Sequence, residues 1–184
     1  MQPGDTTTLP EPTVHARAAE VEWEGVGEND LGIVARTLAG MLRPPAVVLL
    51  TGPLGSGKTT LVGKLFWTMG LRQRVKSPTF DLVHRYQLAD LALYHVDLYR
   101  LSAEEGLESL DLPAPEEGAT LVAAEWGEPL ADVYPDHWRI RLDLEPASDK
   151  RRIRLSAHGP WADAQLRAWI AALPGGSAGG GSEG

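Results

Sequence analysis

The sequence predicts an α/β domain whose central sheet mixes parallel and antiparallel strands. Residues 46–69 combine an unbroken apolar strand pattern, a glycine-rich loop and a helical pattern, an order typical of parallel sheets. Residues 79–101 show two alternating segments around a short polar break, which predicts an antiparallel hairpin. Two further alternating segments, "HWRIRLDL" and "KRRIRLSA", follow near the C-terminus and are expected to pair antiparallel.

The first half of the predicted domain places two helices around the buried strand "AVVLLT". Apolar residues recur at helical spacing in "DLGIVARTLAGML", with Asn29 or Asp30 as the N-cap and the prolines at 44–45 ending the helix. After the strand, "KTTLVGKLFWTMG" returns to helical spacing and ends at Gly70.

The second half is expected to hold one more buried strand and two more helices. "ATLVAAEW" has the apolar run of a strand that is buried on both faces. Ser102 and Glu105 have capping-box spacing, which predicts a short helix before that strand. A final helix is predicted in "PWADAQLRAWIAAL", where Pro160 occupies the first turn.

Length and composition predict a single globular domain with an extension at each end. The chain has 184 residues, of which 43% are hydrophobic, enough for one core. Residues 1–20 contain prolines and threonines without apolar periodicity and are interpreted as a disordered N-terminal extension. Residues 174–184 have the composition of a flexible Gly/Ser-rich tail, so the folded domain is placed at residues 21–173.

Composition and charge argue against several classes of protein. The chain has no cysteine and therefore neither disulfides nor thiolate metal sites. The longest aliphatic run, "AVVLL", is far shorter than the roughly 20 residues that cross a bilayer, so we expect no membrane association and a cytoplasmic location. A net charge of −8 argues against DNA or free RNA as a tight partner, because such binding depends on cations that neutralise phosphates.

The stretch "TGPLGSGKTT" has the spacing of a phosphate-binding loop. It matches G-x-x-x-x-G-K-[ST], in which backbone N–H groups wrap phosphate oxygens, the lysine reaches the β- and γ-phosphates, and the hydroxyl ligates Mg²⁺. The flanking strand and helix supply the context that the motif requires, which predicts a P-loop NTPase-like three-layer fold. The predicted nucleotide-binding residues are Gly52, Leu54, Gly55, Ser56, Gly57, Lys58, Thr59 and Thr60.

Hydrolysis also needs an acidic residue for Mg²⁺ and a group that positions the attacking water. Glu125 ends a buried strand, where its carboxylate is expected to face the phosphate site. Asp97 lies in "YHVDLYR", where alternation places it on one face with His95. His95 is interpreted as a hydrogen-bonded structural residue, with catalysis as the alternative. Thr79 in "KSPTF" is either a switch residue near Mg²⁺ and the γ-phosphate or a turn residue.

Four motifs, "GPLGSGKTT", "VKSPTF", "YHVDLYRL" and "AAEWGE", occur in an order and spacing that resemble the bacterial TsaE family, formerly called YjeE. The resemblance covers about residues 20–160. It implies a P-loop ATPase that uses ATP and Mg²⁺, joins the TsaB and TsaD proteins, and supports threonylcarbamoyl transfer to the adenosine next to certain tRNA anticodons. The chemistry on the tRNA is then carried out by TsaD, so tRNA is contacted through the complex.

The resemblance also implies roles for single residues, and two positions depart from the family pattern. Gly127 stands where the family commonly has proline, and Phe80 stands where it often has tyrosine. The two implied carboxylates could exchange their roles in metal binding and hydrolysis. The implied metal-binding and catalytic residues are Thr59, Thr79, Asp97 and Glu125, with Lys58 holding the nucleotide.

Two other functions stay open on the residues alone. A small-molecule kinase also joins a phosphate loop to a compact α/β core, but it usually needs an arginine-bearing lid, and the densest basic run, "KRRIR", lies in a predicted strand. A nucleotide-gated binding module would use ATP to control partner affinity with negligible turnover. Partner-stimulated hydrolysis would favour the ATPase over both.

Overall fold

The computed structural model describes residues 11–15, 19–78, 81–101, 106–114 and 118–173. The strands in these ranges are β1 Thr13–His15, β2 Glu20–Val26, β3 Ala46–Thr51, β4 Val83–Gln87, β5 Ala92–Asp97, β6 Thr120–Glu125, β7 His137–Leu144 and β8 Arg151–His158. The helices are α1 Leu31–Met41, α2 Lys58–Thr68 and α3 Pro160–Ala171, with 3-10 turns at Leu107–Ser109 and Glu128–Ala131.

All of these strands belong to one sheet, in the order β1-β2-β8-β7-β3-β6-β5-β4. Strand β3 lies between β6 and β7 and runs parallel to both, and β5 runs parallel to β6. The other neighbouring pairs are antiparallel, including the predicted pairs β4–β5 and β7–β8. The prediction of a mixed sheet is therefore confirmed. Every residue of β3 is buried, as expected for a strand covered on both faces.

The helices cover one face of the sheet and enclose the larger core. Leu50 and Trp138 point from β3 and β7 toward this face, where they belong to the same apolar cluster as Leu38 of α1 and Phe66 of α2. Burying one large apolar side chain contributes on the order of 1.5–3 kcal/mol. This packing holds α1 and α2 against the end of the sheet at which β3 enters the glycine-rich loop.

The opposite face is covered over only half of its width. Val47 and Val122 point from the central strands into a second core with Leu130 and Tyr134, which lie in or beside the turn after β6. Among the described residues, the third layer of the predicted fold therefore consists of 3-10 turns and loops. Over β2, β8 and β7 the same face is polar and carries surface ion pairs, such as Arg154 with Glu22.

Two local features were not part of the sequence prediction. Asp30 holds the N-cap position of α1, but its side chain does not cap the helix; instead its Oδ2 accepts a hydrogen bond from the Gly27 N–H at 2.9 Å. Strand β2 was not predicted, although "EVEWEG" alternates and buries Val21 and Trp23. Glutamates at alternate positions of β2 mask this signal, because charged residues are depleted in most strands.

The predicted N-terminal extension contains a short strand. Thr13–His15 pairs antiparallel with β2, and it lies inside the segment that we assigned to the N-terminal extension. The capping box of Ser102 and Glu105 lies outside the described residues. No helix within the described ranges is long and apolar enough to cross a membrane.

Candidate nucleotide-binding and catalytic site

The glycine-rich loop connects the C-terminal end of β3 to the first turn of α2. Gly52 has φ 127° and Gly57 has φ 98°, a region that side chains disfavour. A Cβ on Gly52 would lie only 2.1 Å from the Leu142 carbonyl oxygen of β7, so the loop start packs directly on the neighbouring strand. Gly57 is the N-cap of α2, which places the positive end of the helix dipole at the loop.

Lys58 is buried within the loop that it follows. Its Nζ donates hydrogen bonds to the carbonyl oxygens of Gly52 and Pro53, at 2.8 and 2.9 Å. The same ammonium lies 4.0 Å from the centroid of the Trp126 ring, a cation–π contact. Burial lowers the pKa of Lys58 from its ordinary value, and the nearby carboxylate of Glu125 partly opposes that shift.

The first turn of α2 is tied to the end of β6 by a chain of hydrogen bonds. The Thr59 hydroxyl donates to Glu125 Oε2 at 2.9 Å. The other oxygen, Oε1, lies 2.8 Å from Nε2 of His95, which comes from β5 and is fully buried. Both oxygens of Glu125 therefore have a partner. The residue is only 4% exposed and lies at the C-terminal end of β6, between the parallel strands β3 and β5.

Asp97 lies beside Glu125 but has its own set of partners. The two residues are paired in register on β5 and β6, and neighbouring strands lie about 4.8 Å apart. Oδ1 of Asp97 accepts the Tyr99 N–H at 3.1 Å, and Oδ2 accepts a short hydrogen bond from the Ser77 hydroxyl. Ser77 belongs to "KSPTF", so the described part of this segment reaches the site through its serine.

These side chains surround a cavity of about 600 Å³. Leu54 and Tyr99, which are 72% and 52% exposed, lie among the residues around it, and Tyr99 packs on Trp126 with ring centroids 5.0 Å apart. Trp126 has φ 55°, an uncommon conformation for a side-chain-bearing residue. The residues that line the cavity include Leu54, Lys58, Thr59, Asp97, Glu125 and Trp126.

A second groove adjoins this cavity along α2. The two share Thr59 and Thr60, and the groove continues past Arg36, Lys64 and Arg74. The groove therefore gathers three cations beside the loop, on a chain whose net charge is −8. Such a local cluster of cations attracts anionic ligands.

Arg151 is a candidate site residue that the sequence analysis missed. It begins β8, is 6% exposed, and has Nη1 3.8 Å from the position that a Cβ on Gly57 would take. Its Nε and Nη1 have no hydrogen-bond partner within the described chain, and Nη2 donates to the Asp149 carbonyl oxygen at 3.2 Å. The sequence contained one signal, because alternation in "KRRIRL" places Arg151 on the same face as Ile153 and Leu155, which are buried.

The structure brings most of the predicted site residues together. Gly55, Gly57, Lys58, Thr59, Thr60, Leu54, Asp97 and Glu125 line the one cavity. Two further predicted residues lie in the loop but do not line the cavity: Gly52 packs on β7, and Ser56 is fully buried. Thr79 lies outside the described residues.

Gly127 donates its N–H to the Leu50 carbonyl oxygen at 3.4 Å. Proline, which the family commonly has at this position, lacks the N–H and could not make this contact.

The donor atoms at the cavity fit Mg²⁺ better than a softer metal. A threonine hydroxyl and two carboxylates are hard oxygen ligands. No group of three or more His, Cys, Asp or Glu residues suited to a metal occurs within the described residues, so the chain provides no complete cage there. Mg²⁺ in proteins is usually bound by one or two carboxylates together with substrate phosphates and water, which suits this arrangement.

Strand, glycine loop and helix around Lys58, with an acidic residue ending the neighbouring parallel strand, define a phosphate-loop protein of the α/β class. The sequence matches, over residues 27–153, the model of the family described as "Threonylcarbamoyl adenosine biosynthesis protein TsaE". The chain therefore belongs to the TsaE family, and the family resemblance inferred from the four motifs is confirmed.

Individual relatives agree with this assignment, and one solved structure shares the fold. The chain is 30% identical to the tRNA threonylcarbamoyladenosine biosynthesis protein TsaE of Bacillus subtilis, over 76% of this chain and 87% of the relative. It is 37% identical to the protein of that name from Streptomyces coelicolor, over 72% and 95%. The crystal structure of Bacillus subtilis YdiB superposes with a TM-score of 0.65 at 22% identity, covering 82% of this chain and 93% of that one, which supports the P-loop-like fold.

Proposed function

We propose that this protein is a Mg²⁺-dependent ATPase that joins the TsaB and TsaD proteins and supports the formation of threonylcarbamoyladenosine in tRNA, resetting that complex between turnovers. The observation that carries the proposal is the hydrogen bond between Thr59, in the phosphate loop, and Glu125, at the end of the adjacent parallel strand. It joins a phosphate-binding element to a buried carboxylate, the combination that P-loop hydrolases need. Family membership supplies the biological setting.

Nucleotide phosphates would bind where the loop and the α2 N-terminus point their N–H groups. Lys58 now donates to two carbonyl oxygens of its own loop, and charged phosphate oxygens are stronger acceptors for an ammonium group. We therefore assign Lys58 to the phosphates. Arg151 supplies a second fixed positive charge beside Gly57.

Thr59 and Glu125 would hold Mg²⁺, which would neutralise negative charge on the phosphates. Asp97 is assigned to orienting the attacking water, because it faces the same cavity and its partners, Ser77 and the Tyr99 N–H, fix the direction of its carboxylate. Restricting both carboxylates before the nucleotide arrives lowers the entropy cost of reaching a reactive arrangement.

Partner binding is supported by the apolar side chains around the cavity. Leu54 and Tyr99 are exposed next to the half-buried Trp126, and exposed apolar patches mark interaction sites. A protein bound there would shield the cavity from water. The net charge of −8 agrees with contact to tRNA through the complex instead of directly.

The test is ATP turnover by the purified chain, alone and with TsaB and TsaD. We expect weak turnover alone, strong stimulation by the partners, and loss of the stimulated rate in Glu125→Ala and in Asp97→Ala. Turnover that neither the partners nor the substitutions change would contradict the proposal. Negligible turnover combined with ATP-controlled partner affinity would instead support the nucleotide-gated binding module, and phosphorylation of an added metabolite would support a kinase.

A further inference from the structure

His95 contacts Glu125 but has no assigned role in the proposed hydrolysis. Its side chain is fully buried between the sheet and α2, where the ring of Phe66 meets it edge-on at 6.4 Å between centroids. Nε2 lies 2.8 Å from Glu125 Oε1, while Nδ1 has no hydrogen-bond partner within the described chain. Within the described residues, the buried imidazole therefore makes its polar contact with one oxygen of Glu125.

The two oxygens of Glu125 have different surroundings. Oε1 faces the buried imidazole beneath the site, whereas Oε2 accepts the hydroxyl of Thr59, a residue that lines the cavity. The hydroxyl contact is open to rearrangement when a ligand occupies the cavity. The imidazole contact is enclosed by the core and offers Glu125 a fixed anchor.

We propose that His95 is a positioning residue for Glu125: it holds Oε1 from below so that Oε2 stays directed at Thr59 and the phosphate loop. This inference rests on the proposed function, because it assumes that Glu125 serves the metal–nucleotide complex. A free glutamate side chain samples several rotamers, and an anchored one presents its second oxygen in one direction. Hydrogen-bonded partners of metal-binding carboxylates commonly change metal affinity 10- to 100-fold when removed.

The effect of His95 should be selective for one of the two carboxylates. Asp97 is on the same face two residues further along β5, but its oxygens are held by Ser77 and the Tyr99 N–H. Loss of the imidazole would therefore leave the anchoring of Asp97 intact. A purely structural role for His95 would disturb both carboxylates and the loop together.

The experiment compares His95→Leu with His95→Gln, whose side-chain amide can reach the position of Nε2 and donate there. The readouts are Mn²⁺ affinity of the ADP-bound protein, by electron paramagnetic resonance, and ADP affinity in EDTA, by calorimetry. We expect His95→Leu to weaken Mn²⁺ binding by about 10-fold or more, to leave metal-free ADP binding within about two-fold, and His95→Gln to recover most of the loss. The matched control is His84→Leu, directly opposite His95 on β4 and half-buried, which should change neither affinity.

Three results would overturn the proposal: equal loss in the leucine and glutamine variants, equal loss of Mn²⁺ and metal-free ADP affinity, or an undiminished effect of His95→Leu in a Glu125→Ala background. If the leucine variant does not fold, His95→Asn replaces it, because asparagine is too short to reach Oε1 and the same contrast with glutamine applies. Failure of the metal–nucleotide site that the proposed function assumes is distinguishable, since wild-type protein would then show no effect of divalent metal on ADP affinity at all.

Discussion

The hydroxyl of Thr59 donates a hydrogen bond to Oε2 of Glu125 across 2.9 Å, although the two residues are 66 positions apart in the chain. The contact joins the first turn of α2 to the end of β6, on a strand that pairs in parallel with β3. Because β3 leads directly into the glycine loop, both ends of the contact are fixed by the centre of the sheet. The candidate site is thus built on rigid elements, which favours an accurate catalytic arrangement.

Replacing Glu125 by alanine should abolish most hydrolysis while leaving nucleotide binding largely intact. The loop N–H groups and Lys58 bind phosphates without the carboxylate, but the charge and orientation that Glu125 provides in the transition state are lost. We expect kcat to fall about 100-fold or more, or about 2.7 kcal/mol of transition-state stabilisation. The measurement is ATP turnover together with ADP affinity. Asp132→Ala, an exposed acid beyond the site, is the control, and an equal decrease in both variants would contradict the assignment.

Gly52→Ala should destabilise the fold strongly. A Cβ there would lie 2.1 Å from the Leu142 carbonyl oxygen, and φ 127° is strained for alanine, so we expect a loss of at least about 2 kcal/mol in the free energy of unfolding. The measurement is denaturant unfolding. Gly40→Ala is the matched control, since a Cβ on Gly40 in α1 meets nothing within 4 Å and alanine favours helix by about 1 kcal/mol. Comparable stability of the two variants would refute the predicted clash.

Nucleotide binding should change the emission of Trp126. The Lys58 ammonium lies 4.0 Å from the ring centroid, and its movement toward phosphates would remove that contact. We expect ATP or ADP to alter tryptophan fluorescence in wild-type protein, and the change to disappear in Trp126→Phe. The chain has six tryptophans, so Trp161→Phe, an exposed position on α3, is needed as a control and should keep the response. A full response in Trp126→Phe would show that another tryptophan gives the signal, which contradicts the prediction.

Acid should destabilise the protein through His137 and His158, whose rings stack with centroids 4.7 Å apart at 12°. Burial lowers the pKa of both, so below their ordinary pKa of 6.5 the unfolded chain takes up more protons than the folded one. Stability is therefore fully present above pH 6.5 and decreases as the pH falls below it, by at most about 1.4 kcal/mol per pH unit for each histidine.

The measurement for this pair is the unfolding free energy between pH 7 and 5, in wild-type protein and in His158→Gln. The variant should show a shallower dependence on pH, by up to about one proton. Equal slopes for the two proteins would mean that His158 does not contribute, and a wild-type stability that rises on acidification would contradict the direction of both shifts.

Local patterns predicted much of the fold, and long-range contacts account for most of what they missed. The apolar run of β3, the loop glycines and the alternation that puts Asp97 with His95 are all properties of neighbouring residues, and the structure contains each of them. Strand β2 escaped prediction because its glutamates mask the local alternation and because its burial depends on pairing with β8, which is more than 120 residues away.

The same distinction holds within the site. Lys58, Thr59 and Glu125 could be placed from motif and strand position, but the contact of His95 with Glu125 depends on the register of β5 against β6. Alternation in β8 puts Arg151 on the face of the buried Ile153, but its position beside Gly57 depends on where β8 meets the loop. Such positions are set by the three-dimensional pairing of strands and leave little trace in any short stretch of sequence.

The central claim, that the loop around Lys58 binds a metal–nucleotide complex, is tested most directly by calorimetric titration of ATP into wild-type protein and Lys58→Ala, with and without Mg²⁺. We predict one nucleotide bound per chain, tighter binding with Mg²⁺, and a loss of affinity of about 10-fold or more in Lys58→Ala. Absence of binding to the wild-type chain, or equal affinity of the two proteins, would contradict the account.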